Sequence, residues 1–371
     1  MNIVCSKENL HSGIQIVSKA VPNRTTMSIL ECILLETDGS QVKLTANDME
    51  IGIETKIDAQ VIKEGKIALD AKLLAEIVRK LPDNDVTIEV KNDFITVITC
   101  EKAIFTIIGK SGSDFSSLPE VEKIDSIMIS QLTLKEIIRQ TIFSIGHDIN
   151  NILMTGELFE ITGDVLKVYS LDTHRISIRK VYLKNSYPNR KEVIPGKTLN
   201  EIMKILPGDA DKDVTIFFTG KHVIFEFDNT MVISRLLEGE FFRTDQLLSR
   251  DYSTKISINK KVLQNCIDRA MLLIKEEDKK PIIMSISDEV MELKINSVIG
   301  SMNEDIEIEK QGQDLMIGFN PKYFIDALKV IDDEMVDIYM INPKSPCFIR
   351  DNDNNYVYVL MPVNFITVDG A

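Results

Sequence analysis

The densest cluster of chemically capable side chains in this chain is Asp172-Thr173-His174-Arg175, at the end of a strand-like segment. A carboxylate, an imidazole and a guanidinium within four residues could form an acid–base site. No serine, cysteine or metal partner stands at a spacing that would complete a nucleophilic or metal centre. Elsewhere in the chain, Asn47-Asp48-Met49-Glu50 keeps only the aspartate of this pattern, and Asn296-Ser297 keeps none of it. A binding or structural role is therefore favoured over catalysis. Gly109-Lys110-Ser111 suggests a phosphate loop, but Ile104 stands where the first glycine of such a loop is required. His11, His147 and His222 lie far apart without metal-ligand spacing. The five cysteines (Cys5, Cys32, Cys100, Cys266, Cys347) are scattered and include no C-x-x-C pair, so they read as reduced, buried thiols. No cofactor fingerprint is present, and no cofactor or metal is expected.

A second set of charged residues recurs. Lys72, Glu76 and Arg79 are spaced i, i+4 and i+7, one face of a helix whose other face carries Leu74, Ile77, Val78 and Leu81. Lys197, Glu201 and Lys204 repeat the pattern, as do Lys322, Asp326 and Lys329. One such stripe would be an ordinary solvated face with weak ion pairs. Three in register favour a surface for loose phosphate contact, two cations per helix diluted by one acid, able to follow a backbone without reading bases. Arg24, Arg139 and Arg269 add cations near the preceding helices.

The elements that carry these stripes are themselves copied. A constant shift of 125 aligns Leu69–Leu81, Ile194–Leu206 and Phe319–Ile331, a period too long for a solenoid repeat and suited to whole domains. Each copy opens with an amphipathic helix: Leu10, Ile14, Val17 and Val21; Leu134, Ile138, Thr141 and Ile145; Leu263, Ile267, Ala270 and Ile274. Strands follow, at 27–37 and 42–45 around Asp38-Gly39, at 158–162 and 165–169 around Gly163-Asp164, and at 282–286 and 290–295. After the second helix come strands at 86–90, 94–99 and 103–108; 214–218, 223–227 and 231–236; and 336–340, 347–350 and 356–360. Each copy thus reads as helix, strands, helix, strands. The fold class is α+β, with two helices packed on antiparallel sheet. The domains are expected at 1–125, 126–252 and 253–371.

At 371 residues, 44% hydrophobic and 27% charged, the composition is that of a globular protein. No apolar run approaches the roughly 18 residues of a membrane span, and the first residues lack a signal-peptide layout. A cytoplasmic location and no membrane contact are expected. The net charge of −14 argues against nucleic-acid binding by the chain as a whole, so any phosphate-facing surface must be local.

Several segments together make the chain resemble the bacterial sliding clamp family, the beta subunit of DNA polymerase III. They are Arg24, Asp38-Gly39, the segment 44–48, Leu153-Met154-Thr155-Gly156-Glu157-Leu158-Phe159-Glu160, the Asp172 cluster, and Tyr358-Val359-Leu360-Met361-Pro362-Val363. The resemblance covers essentially the whole chain. It implies three tandem clamp domains closing as a head-to-tail homodimeric ring around double-stranded DNA, a non-catalytic processivity factor. Arg24, Lys72, Arg79, Arg139, Lys197, Lys204, Lys322 and Lys329 would face DNA. It also implies a groove between the second and third domains that binds short motifs of the replicative polymerase, the clamp loader and repair proteins. Mapped residue by residue, that groove takes Met154, His174, Arg175, Ile176, Leu247, Val359, Met361, Pro362 and Val363, an apolar slot with polar anchors. Phe105, Leu272 and Leu273 map to the dimer seam.

The chain departs from the family pattern in four places. Leu171 and Thr173 alter the usual Thr-Asp-Gly-His-Arg, Asn151-Ile152 replaces an Arg-Pro, Phe242 replaces a proline, and residues 364–371 run past the usual end. Two other readings compete with the clamp. One is a scaffold of the same fold that never closes around DNA; the other is an enzyme using Asp172, His174 and Arg175.

Overall fold

The computed structural model describes residues 1–148, 150–243, 251–275 and 280–365. Its helices are α1 (Lys7–Val17), α2 (Ala71–Lys80), α3 (Gln131–Thr141), α4 (Gly196–Ile205), α5 (Lys260–Met271) and α6 (Pro321–Val330). Before five of these helices stands a residue whose side chain can satisfy the first free N–H groups. Ser6, Asp70, Ser130, Asn259 and Asn320 cap α1, α2, α3, α5 and α6, each accepting from a backbone N–H of the first turn. Each such cap contributes about 1 kcal/mol. Pro321 adds a preset φ at the start of α6. Leu10, Ile14 and Val17 on α1 and Leu263, Ile267 and Ala270 on α5 are buried as the periodicity predicts, but Val21, Ile145 and Ile274, expected on the same faces, lie beyond the ends of α1, α3 and α5. No helix among the described residues is long and apolar enough to cross a membrane.

The chain folds into two compact units that cut across the threefold repeat. The first unit comprises Met1–Lys135 and Lys197–Leu236. It holds a five-stranded antiparallel sheet, edged by Ala103–Ile108, and a nine-stranded sheet. In the larger sheet Ile51–Asp58 of the first repeat pairs with Thr230–Arg235 of the second, so two half-sheets become one. The second unit comprises Glu136–Gly196 and Leu237–Ala371. Its seven-stranded sheet is joined in the same way, Arg175–Pro195 of the second repeat pairing with Tyr356–Leu360 of the third. A four-stranded sheet edged by Gly300–Glu307 and Leu315–Phe319 completes it. Compactness follows strand pairing, because backbone hydrogen bonds and apolar faces are shared across the repeat boundary.

Two expectations about the strands are corrected as well. The strand expected from residue 27 begins at Cys32, because 27–31 form turns closed by Leu30 N to Met27 O (2.9 Å) and Cys32 N to Ile29 O (3.1 Å). The turn expected at Gly163-Asp164 falls inside the strand run Gly156–Leu171, where the pairing register shifts and Gly163 takes φ +63°. All five cysteines are free and buried, and burial pushes the Cys5 and Cys266 thiols up to about 12.

Candidate partner groove and helix surfaces

The turn after Leu171 builds the polar end of the site. Asp172 Oδ1 accepts from the backbone N–H of His174 (2.7 Å) and Arg175 (3.0 Å), while Arg175 O accepts from Asp172 N (3.0 Å). The loop is therefore rigid and presents the His174 ring to solvent. Asp172 Oδ2 accepts from Arg175 Nε at 3.0 Å. Arg175 then donates to Asp326 Oδ2 at 2.6 Å and to Phe143 O at 2.5 Å, and its guanidinium lies 4.4 Å from the Tyr323 ring centre. Burial opposes the charge on Arg175, but the partners Tyr358, Asp326 and Asp172 outweigh it and hold the guanidinium firmly protonated. With 8% of its side chain exposed, Arg175 is a structural hub.

This geometry removes the acid–base reading. Asp172 is engaged by Arg175 and by two backbone amides, and the His174 ring pairs through Nδ1 with Thr173 Oγ1 at 2.8 Å. The carboxylate does not orient the imidazole, which a general base of this kind needs.

Beside the turn lies an apolar floor. Ile176 faces Val359 across the inter-repeat ladder, and both are buried in a cluster with Leu158, Leu171, Ile178 and Phe348. Met154, Leu153, Leu237 and Phe241 pack partly buried against it. Met361 N donates to His174 O at 2.8 Å, which brings the 361–363 segment to the rim and leaves Met361 42% exposed. Val363 N then donates to Gly318 O at 2.8 Å. Met154, His174, Arg175, Ile176, Val359, Met361, Pro362 and Val363 thus gather in one place. Leu247 lies outside the described residues. Tyr323 and Asp326 also belong here and were missed: the His174 and Tyr323 rings are 5.7 Å apart. The signal for Asp326 was present in the stripe on α6, but its spacing alone assigned it to solvent.

The stripes are exposed where the periodicity places them. Lys72, Glu76 and Arg79 on α2, Lys197 and Lys204 on α4, and Lys322 and Lys329 on α6 all face solvent, as does Arg24. Their acids differ. Glu76 pairs with Arg79 at 2.5 Å and Glu201 with Lys204 at 2.8 Å, each within its helix. Asp326 corrects the expected pattern, since it turns to Arg175 instead of diluting the cations of α6. Arg139 is half-buried between Glu136 (2.5 Å) and Asp332 (2.9 Å). Lys197 pairs with Asp48 and, at 3.5 Å, with Glu50. Partial burial pulls its ammonium down, and the hydrogen bond and charge of Asp48 outweigh this, holding it above the ordinary lysine value.

The residues assigned to a dimer seam lie at surface positions. Phe105 is 38% exposed on the edge strand Ala103–Ile108, and Leu272 is 79% exposed after α5, with Leu273 partly buried beside it.

Three domains of paired helices on antiparallel sheet, with an apolar cluster beside the Asp172 turn, define a clamp fold. The comparisons specify it. The chain matches the models of the DNA polymerase III beta subunit: N-terminal domain at residues 1–119, central domain at 128–242 and C-terminal domain at 245–364. Among curated relatives, the beta sliding clamp of Staphylococcus epidermidis is 34% identical over 356 residues, covering 93% of this chain and 94% of that protein. That of Halalkalibacterium halodurans is 33% identical, covering 98% and 99%. Among solved structures, a putative DNA polymerase III beta subunit from Eubacterium rectale is 64% identical, with a TM-score of 0.95 over 98% of this chain and 100% of that one. The DNA polymerase sliding clamp of Bacillus subtilis is 34% identical, also with a TM-score of 0.95, over 99% and 100%. The chain belongs to the DNA polymerase III beta subunit family, the beta sliding clamps. Its function is that family's: a DNA sliding clamp, a non-catalytic processivity factor.

Proposed function

We propose that two copies of this chain close head to tail into a ring around duplex DNA in the cytoplasm. The segments 1–125, 126–252 and 253–371 act as its three clamp domains. The stripes on α2, α4 and α6, with Arg24 and Arg139, face the phosphates. Contact is loose, because several of these cations already hold acids, as Arg79, Lys197 and Lys204 do. Retention is then topological, and a chain of net charge −14 needs no tight phosphate binding. Phe105 meets Leu272 and Leu273 of a second copy at the seam, which would cover an edge strand that otherwise offers unpaired backbone groups. The groove from Met154 and His174 to Met361 and Val363, with Leu247, captures short apolar motifs of the replicative polymerase, the clamp loader and repair proteins.

The observation that carries this reading is the recurrence of exposed cations at the same two positions of the second helix in all three repeats. Retention on DNA tests it. After loading onto a nicked circle the protein should stay bound, and it should be lost rapidly once that circle is linearised. Equal loss from both, with loading verified, would leave only ordinary weak binding.

A further inference from the structure

The two inter-repeat ladders match residue for residue. At the second, Arg175 faces Leu360 and Ile176 faces Val359. At the first, Ile51 faces Ser234 and Gly52 faces Ile233. The turns before them match as well: Asp48 Oδ1 accepts from Glu50 N (2.9 Å) and Ile51 N (2.8 Å), as Asp172 does from His174 and Arg175. Arg235 N donates to Glu50 O at 3.1 Å, the counterpart of Met361 N on His174 O. The pair Gly52–Ile233 therefore occupies the place of the groove floor Ile176–Val359, in the same pleat and on the same face.

On that face the first ladder already carries a side chain. A Cβ placed on Gly52 would lie 2.3 Å from Leu118 Cδ2 and 3.2 Å from Ile233 Cγ2. Leu118 thus rests on bare glycine backbone, and a Cβ at position 52 would force the end of its side chain to shift. Residues 116–119 border the small cleft that remains, about 80 Å³, together with Asn47, Met49 and Arg235.

We propose that the first junction is a second groove of the same construction, closed by this chain's own Leu118. Each chain then offers one peptide groove to partners instead of two. The proposal rests on reading the second junction as a peptide groove, but its primary readout does not. Gly52→Ala in the full-length chain should evict Leu118, and a broad-specificity protease should cleave within residues 115–121 roughly tenfold faster. The second readout uses a labelled synthetic peptide of this chain's residues 113–121 as probe. Leu118→Ala should bind one more equivalent of it than the unsubstituted chain, and adding Gly52→Ile should abolish that gain. Unchanged cleavage within 115–121 in Gly52→Ala, or equal stoichiometry with and without Leu118, would overturn the proposal. So would an added equivalent that disappears with His174→Ala, because it would then sit at the second junction. Failure of the ring reading would instead appear in retention on DNA, which neither readout measures.

Discussion

Asp48 and Asp172 hold the same turn at the start of the two inter-repeat ladders, yet they are neutralised from opposite directions. At the first turn the position after Glu50 is Ile51, and the cation comes from the helix, as Lys197 of α4 reaches Asp48. At the second turn the cation is Arg175 in the turn itself, and the helix supplies an acid, Asp326 of α6. The backbone was copied while the charges were exchanged. One consequence is local: Lys197 is tethered, whereas Lys322 at the corresponding position of α6 stays exposed with its neighbouring acid turned away. The other is energetic. Arg175 is nearly enclosed, while Lys197 remains 54% exposed, so the two links should differ widely in strength.

The largest effect should come from Arg175→Ala. Removing one partner of a buried ion network leaves Asp172 and Asp326 uncompensated and should cost about 3–5 kcal/mol in urea unfolding of the full chain. A loss below about 1 kcal/mol would mean that the two turns are energetically alike and that the comparison fails.

The next test concerns a second place where the copies diverge. Glu157 pairs across its ladder with Ile194, the position held by Ile33 opposite Leu69 and by Ile282 opposite Phe319. All three are fully buried, but only Glu157 is ionisable, and neither of its carboxylate oxygens has a hydrogen-bond partner. Burial pushes this carboxyl up from 4.5 to about 8, and the Thr141 hydroxyl gives its proton to Ile137 O and not to the carboxylate. A carboxyl with a raised folded pKa favours folding most fully below its unfolded value. That contribution is lost as pH rises from about 4.5 through about 8. Glu157→Ile should therefore stabilise the protein by about 2–4 kcal/mol at pH 8 and by clearly less at pH 5. Thermal unfolding across that range decides it, and a pH-independent gain would refute the ionisation argument.

Smaller effects separate the helices. Lys322→Ala should weaken DNA association more than Lys197→Ala and reduce the salt slope by about 1, because its charge is not already held by an acid. Equal slopes for the two variants would show that the tether on Lys197 is without consequence. The smallest change expected is in stability: Lys197→Ala should cost no more than about 1 kcal/mol, measured as above.

Much of this molecule was legible in the chain. Helix faces such as Leu10, Ile14 and Val17 follow from a period of 3.6, so local sequence suffices to place them. The stripe Lys72, Glu76 and Arg79 was readable for the same reason. The residues proposed for the groove were reached by resemblance, since Met154, His174 and Val359 lie far apart in the chain and no spacing rule joins them.

By itself, then, the sequence determined the threefold repeat, the helices α1 to α6 with most of their buried and exposed faces, and the reduced thiols. All of these depend on neighbours within a few residues or on direct copying of segments. Only the tertiary structure decided which strands fuse across repeats, that Asp326 turns to Arg175 while Glu76 and Glu201 stay on their own helices, and that Leu118 lies on Gly52. Those outcomes rest on hydrogen bonds, packing and charge between segments tens to more than a hundred residues apart, where identical local patterns meet different surroundings.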